Sequence, residues 1–176
     1  MVNEIRAIQT MYKGIYFRSR LEARWAIIFD RLGIDWRYET EGYDIRIDEG
    51  YTIRYLPDFM LVGGSVRCPD PLFVEVKGNM QMEDALKIKA FSQHYPIYVV
   101  GYIPHDLTDI CNGIDTNYNV PYYNFQTVDN DYFGAVLGAS RNGGWGLFGA
   151  DSSYWQDMDE EKTRTAYAIA RAARFE

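Results

Sequence analysis

Leu72-Phe73-Val74-Glu75-Val76-Lys77-Gly78 sets an acid and a base two positions apart in an otherwise apolar run that ends at a glycine. Its branched and aromatic residues predict a short buried strand over Leu72–Val76, broken at Gly78. Side chains alternate along a strand, so Phe73, Glu75 and Lys77 point one way and Val74 and Val76 the other. Charges held inside such a strand are costly unless they are paired or bound to something. Upstream, Tyr55-Leu56-Pro57-Asp58-Phe59 places another carboxylate on a strand-like segment. The connection, with Gly63, Gly64, Pro69 and Pro71, has a length that permits a hairpin. If the two strands pair, Asp58, Glu75 and Lys77 converge at one end of a sheet.

Outward from this pair, the chain reads as helices around strands. Leu21, Trp25, Ile28, Phe29 and Leu32 recur at helical spacing and predict a helix over Arg20–Leu32. Ser19 suits its N-cap, Glu22 falls at the third helical position, and Gly33 ends it. Strands are expected over Trp36–Ile47 and Tyr51–Val62, with a turn at Asp48-Glu49-Gly50 between them. A second helix is expected over Glu83–His94, with Met82, Leu86, Ala90 and Phe91 as its apolar residues and a Glu83–Lys87 ion pair. Ile97–Ile103 reads as a strand buried on both faces, and Pro121–Val128 as a further strand. Gly138–Gly149 is glycine-rich and reads as an irregular loop. A last helix, Asp159 to Arg174, has acids in its first turn and arginines in its last, matching the helix dipole. The order predicts an α+β (α/β-like) fold, a central mixed β-sheet flanked by helices.

At 176 residues the chain fits one domain, 1–176, with a core over about 16–128 and a C-terminal loop and helix over 138–175. Hydrophobic residues are 47% and charged residues 24%, an ordinary globular balance. Cys68 and Cys111 are too few for a disulfide framework and suit a reducing cytosol. Met1–Thr10 carries Glu4 and Arg6 and no apolar run, so a secretory leader is not expected. The apolar stretch around Tyr95–Ile103 is too short to cross a bilayer, so no membrane partner is expected. The net charge of −7 argues against a general nucleic-acid coating protein. Yet arginines crowd the first part of the chain, and a metal site itself needs carboxylates.

Two carboxylates, with the Val76 carbonyl, supply hard oxygen ligands of the kind Mg²⁺ takes. A metal so held polarises a phosphate and lowers the pKa of a bound water. Lys77 is suited to orient the attacking water and to offset charge on phosphorus. The pattern Pro57-Asp58, then Glu75-Val76-Lys77, resembles the PD-(D/E)XK nuclease superfamily. The string Phe17-Arg18-Ser19-Arg20-Leu21-Glu22-Ala23-Arg24-Trp25-Ala26, the Tyr38-Glu39 strand and the terminal Ala172-Ala173-Arg174-Phe175 look like its small phage-encoded members. That resemblance covers about Tyr16 to Gly101 and the C-terminal tail.

The resemblance implies a restriction-endonuclease-like core and Mg²⁺- or Mn²⁺-dependent cleavage of DNA in the cytoplasm, that of the host cell if the chain is phage-encoded. It implies catalytic roles for Glu22, Asp58, Glu75 and Lys77, with Asp58, Glu75 and Val76 at the metal. Arg18, Arg20, Arg24 and Lys87 are the candidates for binding nucleic acid, and Gln81 competes with Lys87 as a supporting residue on the second helix. A homodimer is compatible with this reading.

Each assignment has a plainer rival. Asp58, Glu75 and Lys77 also fit a strand-edge ion-pair network. Ser19-x-x-Glu22 fits a capping box, and Lys87 fits a solvated pair with Glu83. Glu39 and Glu41 read as exposed strand residues, and His94 and His105 lack a partner at ligand spacing. Gly138–Gly149 lacks the Gly-Lys-Ser/Thr ending of a phosphate-binding loop. The rival function is a catalytically inactive nuclease-fold module that binds nucleic acid or a host protein.

Overall fold

The computed structural model describes residues 7–48, 50–64, 68–111, 122–126, 132–149 and 153–175. Strands β1 (Thr10–Tyr12) and β2 (Ile15–Phe17) form a small hairpin ahead of helix α1 (Arg20–Leu32). Then follow β3 (Asp35–Tyr38), β4 (Tyr43–Asp48), β5 (Tyr51–Tyr55), β6 (Phe59–Val62) and β7 (Leu72–Val76). Helix α2 (Met82–Ser92) leads to β8 (Ile97–Val100) and the short α3 (Leu107–Cys111). The remaining elements are β9 (Asn124–Gln126), β10 (Tyr132–Ala139), β11 (Trp145–Gly149), a turn of 3-10 helix (Ser153–Asp157) and α4 (Glu160–Ala172).

The main sheet runs β11-β10-β9-β8-β7-β6-β3 among the described residues. β7 and β8 pair in parallel, and the other adjacent pairs are antiparallel. The parallel step needs a crossover, and α2 supplies it. β4 and β5 form a separate hairpin. The fold is thus α+β: a mixed sheet with helices on its faces.

Strand alternation divides the core in two. Val74, Val76, Tyr98 and Val100 face one cluster with Phe17, Trp25, Phe29 and Tyr167, beneath α1 and α4. Phe73, Ile97 and Val99 face the other, with Ile45, Tyr55, Ile88 and Phe91 from the β4–β5 hairpin and α2. β7 and β8 are buried along their whole length, the reason their sequences are nearly all apolar.

α1 begins as its sequence indicates. Ser19 accepts a hydrogen bond from the Glu22 amide at 3.1 Å, and Gly33 closes the helix in the left-handed region. Elsewhere the structure corrects the expectations. Trp36–Ile47 is two strands, parted where Glu39 takes a positive φ of 44°. Tyr51–Val62 is also two, parted at Leu56-Pro57-Asp58, because proline cannot donate to a ladder. On α2 the expected Phe91 is buried, but the apolar residues expected at Met82 and Leu86 are exposed, and Ala85 and Ile88 are buried instead.

The largest correction is Gly138–Gly149. It is not an irregular loop but the end of β10, a turn, and all of β11, paired antiparallel with Gly138 opposite Gly146. Gly143 and Gly144, with φ of 92° and 76°, make the turn. Of the strand expected over Pro121–Val128, Asn124–Gln126 is observed; Pro121, Thr127 and Val128 lie outside the described residues, as does Glu49 of the expected turn. No helix among the described residues is long and apolar enough to cross a membrane.

Candidate active site

The antiparallel register of β6 and β7 pairs Phe59 with Val74, and one step beyond the strand it sets Asp58 toward Glu75, close enough for the two charges to interact. Residues directly opposite on such a pair share a face, which fixes two carboxylates side by side at the end of the sheet. Both are 3% exposed. Asp58 Oδ2 accepts from the Val76 amide at 2.7 Å, and Asp58 Oδ1 meets Arg18 Nη2 at 2.8 Å. Glu75 Oε2 accepts from the Tyr55 hydroxyl at 2.6 Å, and its Oε1 lies 2.9 Å from Lys77 Nζ.

Burial drives the Asp58 carboxyl well above the ordinary carboxylate range, and the nearby charges of Glu75 and then Glu22 add to it. Burial works against the Lys77 ammonium, but Glu75 first and then Asp58 and Asp84 outweigh it and hold its pKa above the usual lysine value. Lys77 therefore stays a cation. Its backbone is fixed as well, since its amide donates to Val100 of β8 at 2.8 Å.

Glu22 sits on the first turn of α1 and is 6% exposed. Ser19 Oγ donates to its Oε1 at 2.6 Å, while Tyr38 OH and the Arg18 amide donate to Oε2 at 2.6 and 3.1 Å. The carboxylate thus acts as a helix cap, one residue further back than the usual capping box. It also lies close enough to Asp58 to raise that group's pKa. Cap and site member are the same side chain.

Asp58, Glu75, Lys77 and Glu22 are brought together; the other sequence candidates divide. Arg18 joins them, its guanidinium bridging Asp58 and Glu39 Oε1, the latter at 2.6 Å. Lys87 makes no contact with them among the described residues; it forms the expected pair with Glu83 at 2.5 Å on α2. Gln81 stands at the N-cap of α2, where its amide donates to Asp84 Oδ2 at 3.2 Å. Arg20 and Arg24 line cavities at the start of α1, away from the paired carboxylates. His94 meets the Tyr95 ring at 6.5 Å rather than any acid of the site.

Three participants escape a reading of the sequence. Asp84 holds Lys77 at 3.1 Å from α2. Tyr55 orients Glu75 from the β4–β5 hairpin, and Tyr38 orients Glu22 from β3. A capping-type spacing, Gln81-x-x-Asp84, was the one local signal for Asp84. Among the described residues no group of three or more His, Cys, Asp or Glu side chains is disposed to hold a metal by itself. No protein-family model, no curated protein and no solved structure matches this chain.

Proposed function

We propose that the chain is a metal-dependent nuclease that hydrolyses DNA phosphodiester bonds, with a restriction-endonuclease-like core. One observation carries the reading: Asp58 and Glu75 lie side by side, both buried, with Lys77 as their neighbouring cation. A purely structural ion-pair network has little use for two buried acids whose burial, and then mutual repulsion, raise the Asp58 pKa. Relief of that repulsion by a cation supports a metal here.

The residues fit Mg²⁺ or Mn²⁺. Asp58, Glu75 and the Val76 carbonyl would hold it, hard oxygen donors too few to fill its shell, which suits an ion that keeps waters and takes a phosphate oxygen. Such a metal supplies Lewis-acid polarisation of the phosphate and an activated water. The protein's own part is positioning. Lys77, anchored between Glu75 and Asp84, orients the nucleophile and offsets charge on the phosphate. Arg18 holds Oδ1 of Asp58, and Glu22 holds the Arg18 main chain.

The test is cleavage of supercoiled, linear, branched and single-stranded DNA with Mg²⁺ or Mn²⁺, beside Glu75→Ala and Lys77→Ala proteins. Cation-dependent cleavage by the wild type and its loss in both variants, with folding retained, is expected. Cleavage by Glu75→Ala at the wild-type rate sinks the proposal. A wild type that binds DNA without cation-dependent nicking identifies an inactive nuclease-fold module instead.

A further inference from the structure

The start of α1 lies against the end of α4, where Arg24 Nη2 donates to the Ala173 carbonyl at 3.5 Å. At this junction Arg20, Arg24, Arg171 and Arg174 line an open cavity of about 480 Å³, with Phe175 beside them. Four guanidiniums around one cavity are a marked local excess in a chain of net charge −7. None of the four forms an ion pair with a carboxylate among the described residues.

Arginines at a helix C-terminus complement its dipole, and that explains part of the cluster. Arg171 donates to the Pro104 carbonyl and Arg24 to that of Ala173, so two of the four are held in position by main-chain acceptors. The dipole does not explain Arg20, which begins the other helix, nor Arg24 Nε, a buried N–H with no hydrogen-bond partner among the described residues. A buried donor without a protein acceptor calls for a partner, which an ordered water or an anion supplies. Planar guanidinium forks suit phosphate, which they grip through paired hydrogen bonds.

The cavity also has a neighbour that approaches the end of the segment carrying Lys77. An adjoining cavity of about 470 Å³ shares Arg20 and Arg24 and runs past Leu21 to Gly78 and Asn79, the residues directly after Lys77. We propose that the four-arginine cavity binds a phosphate group of a DNA strand as that strand runs toward Lys77. The phosphate chemistry stands on the arginines themselves; its assignment to DNA rests on the nuclease reading above.

The test measures binding of labelled single-stranded and duplex DNA by fluorescence anisotropy. The full chain is held in Ca²⁺, with salt raised from about 50 to about 200 mM. Arg20 and Arg174 are exposed and form no ion pair among the described residues, so the Arg20→Gln/Arg174→Gln protein is expected to fold, which a thermal melt checks. For each phosphate no longer neutralised, the slope of log affinity against log salt shallows by about 0.9 on duplex or about 0.7 on single strands, and affinity at ~0.1 M salt falls about tenfold. Arg20→Lys/Arg174→Lys keeps the charge and retains most of the slope. A loss confined to 5′-phosphorylated strands assigns a terminal phosphate; equal loss on 5′-hydroxyl strands assigns a backbone phosphate. If the doubly substituted protein keeps the wild-type affinity and slope, or if the wild type shows no salt-dependent binding, the proposal is overturned. Should pocket-dependent binding persist while the wild type cleaves nothing, the nuclease reading fails and the phosphate site stands. If Arg20→Gln/Arg174→Gln does not fold, Arg174→Gln alone gives the same readout.

Discussion

The Tyr55 hydroxyl donates to Glu75 Oε2 at 2.6 Å with both side chains buried, and this bond ties the β4–β5 hairpin to the acid at the end of the main sheet. Burial, and then the charge of Glu75, drive the Tyr55 pKa well above the usual tyrosine value, so the phenol stays a donor at any working pH. Tyr55→Phe keeps the ring against Phe91 but leaves one carboxylate oxygen without its donor. Removing a hydrogen bond to a charged group is expected to cost about 1.5–3 kcal/mol, read from the urea midpoint. If Glu75 holds the proposed metal, cleavage should fall with it. A Tyr55→Phe protein as stable and active as wild type would remove the hairpin from the site.

Asp84 touches Lys77 and not the reacting groups, so its role is positioning. Asp84→Asn keeps an acceptor for the Gln81 amide but weakens the hold on the Lys77 ammonium. Disturbing a residue that orients a site residue typically lowers activity about 10- to 100-fold. The fall should appear in kcat, with KM for DNA little changed, and Asp84→Glu should restore part of it. An equal loss of binding and turnover would instead indicate a structural acid.

Asp58 makes the site sensitive to pH. Its folded-state pKa is raised, so the carboxyl favours the fold below its unfolded value, and that contribution is lost as pH rises through the raised one. In EDTA the wild type should therefore lose stability with rising pH across that interval, by at most about 1.4 kcal/mol per pH unit from this one group. Added Mg²⁺ or Mn²⁺ should reverse the trend, since the metal takes the ionised form. Asp58→Asn should flatten the pH dependence, stay folded at alkaline pH and lose cleavage. Parallel stability-versus-pH curves for the two proteins in EDTA would contradict this account.

Much of this site is visible in the sequence, because it depends on strand periodicity and on short-range caps. Glu75 and Lys77 sit two apart on a strand, and Ser19 with Glu22 sits on a first helical turn; both spacings are local. Asp84 and Tyr55 are not legible, because their roles depend on how α2 and the β4–β5 hairpin dock on the sheet. Met82 and Leu86 misled for the same reason: helical spacing gives a stripe but not which side of it meets the core. The β10–β11 hairpin was hidden by its glycines, which read as loop punctuation. Two of those glycines do make the turn, but Gly138 is a packing residue.

Gly138 lies where α4 crosses β10, and a Cβ placed there would come within 2.9 Å of Thr163 Oγ1, 3.0 Å of Met158 Sδ and 3.1 Å of Thr163 Cγ2. Met158 could yield, being flexible, but Thr163 cannot move freely. It is fully buried, its hydroxyl donates to the Asp159 carbonyl at 2.7 Å, and its Oγ1 accepts from the Ala139 amide at 3.0 Å. Gly138→Ala should therefore push α4 off the sheet and cost about 1–3 kcal/mol, the usual penalty for overpacking a close contact. Part of the penalty should be relieved when Gly138→Ala is combined with Thr163→Ser, which removes the methyl contact but keeps the hydroxyl and its 2.9 Å approach. Because α4 also carries Arg171 and its end carries Arg174, the single variant should weaken DNA binding more than it slows cleavage of saturating DNA. A Gly138→Ala protein that melts at the wild-type temperature would show that the helix approaches β10 less closely than these distances state.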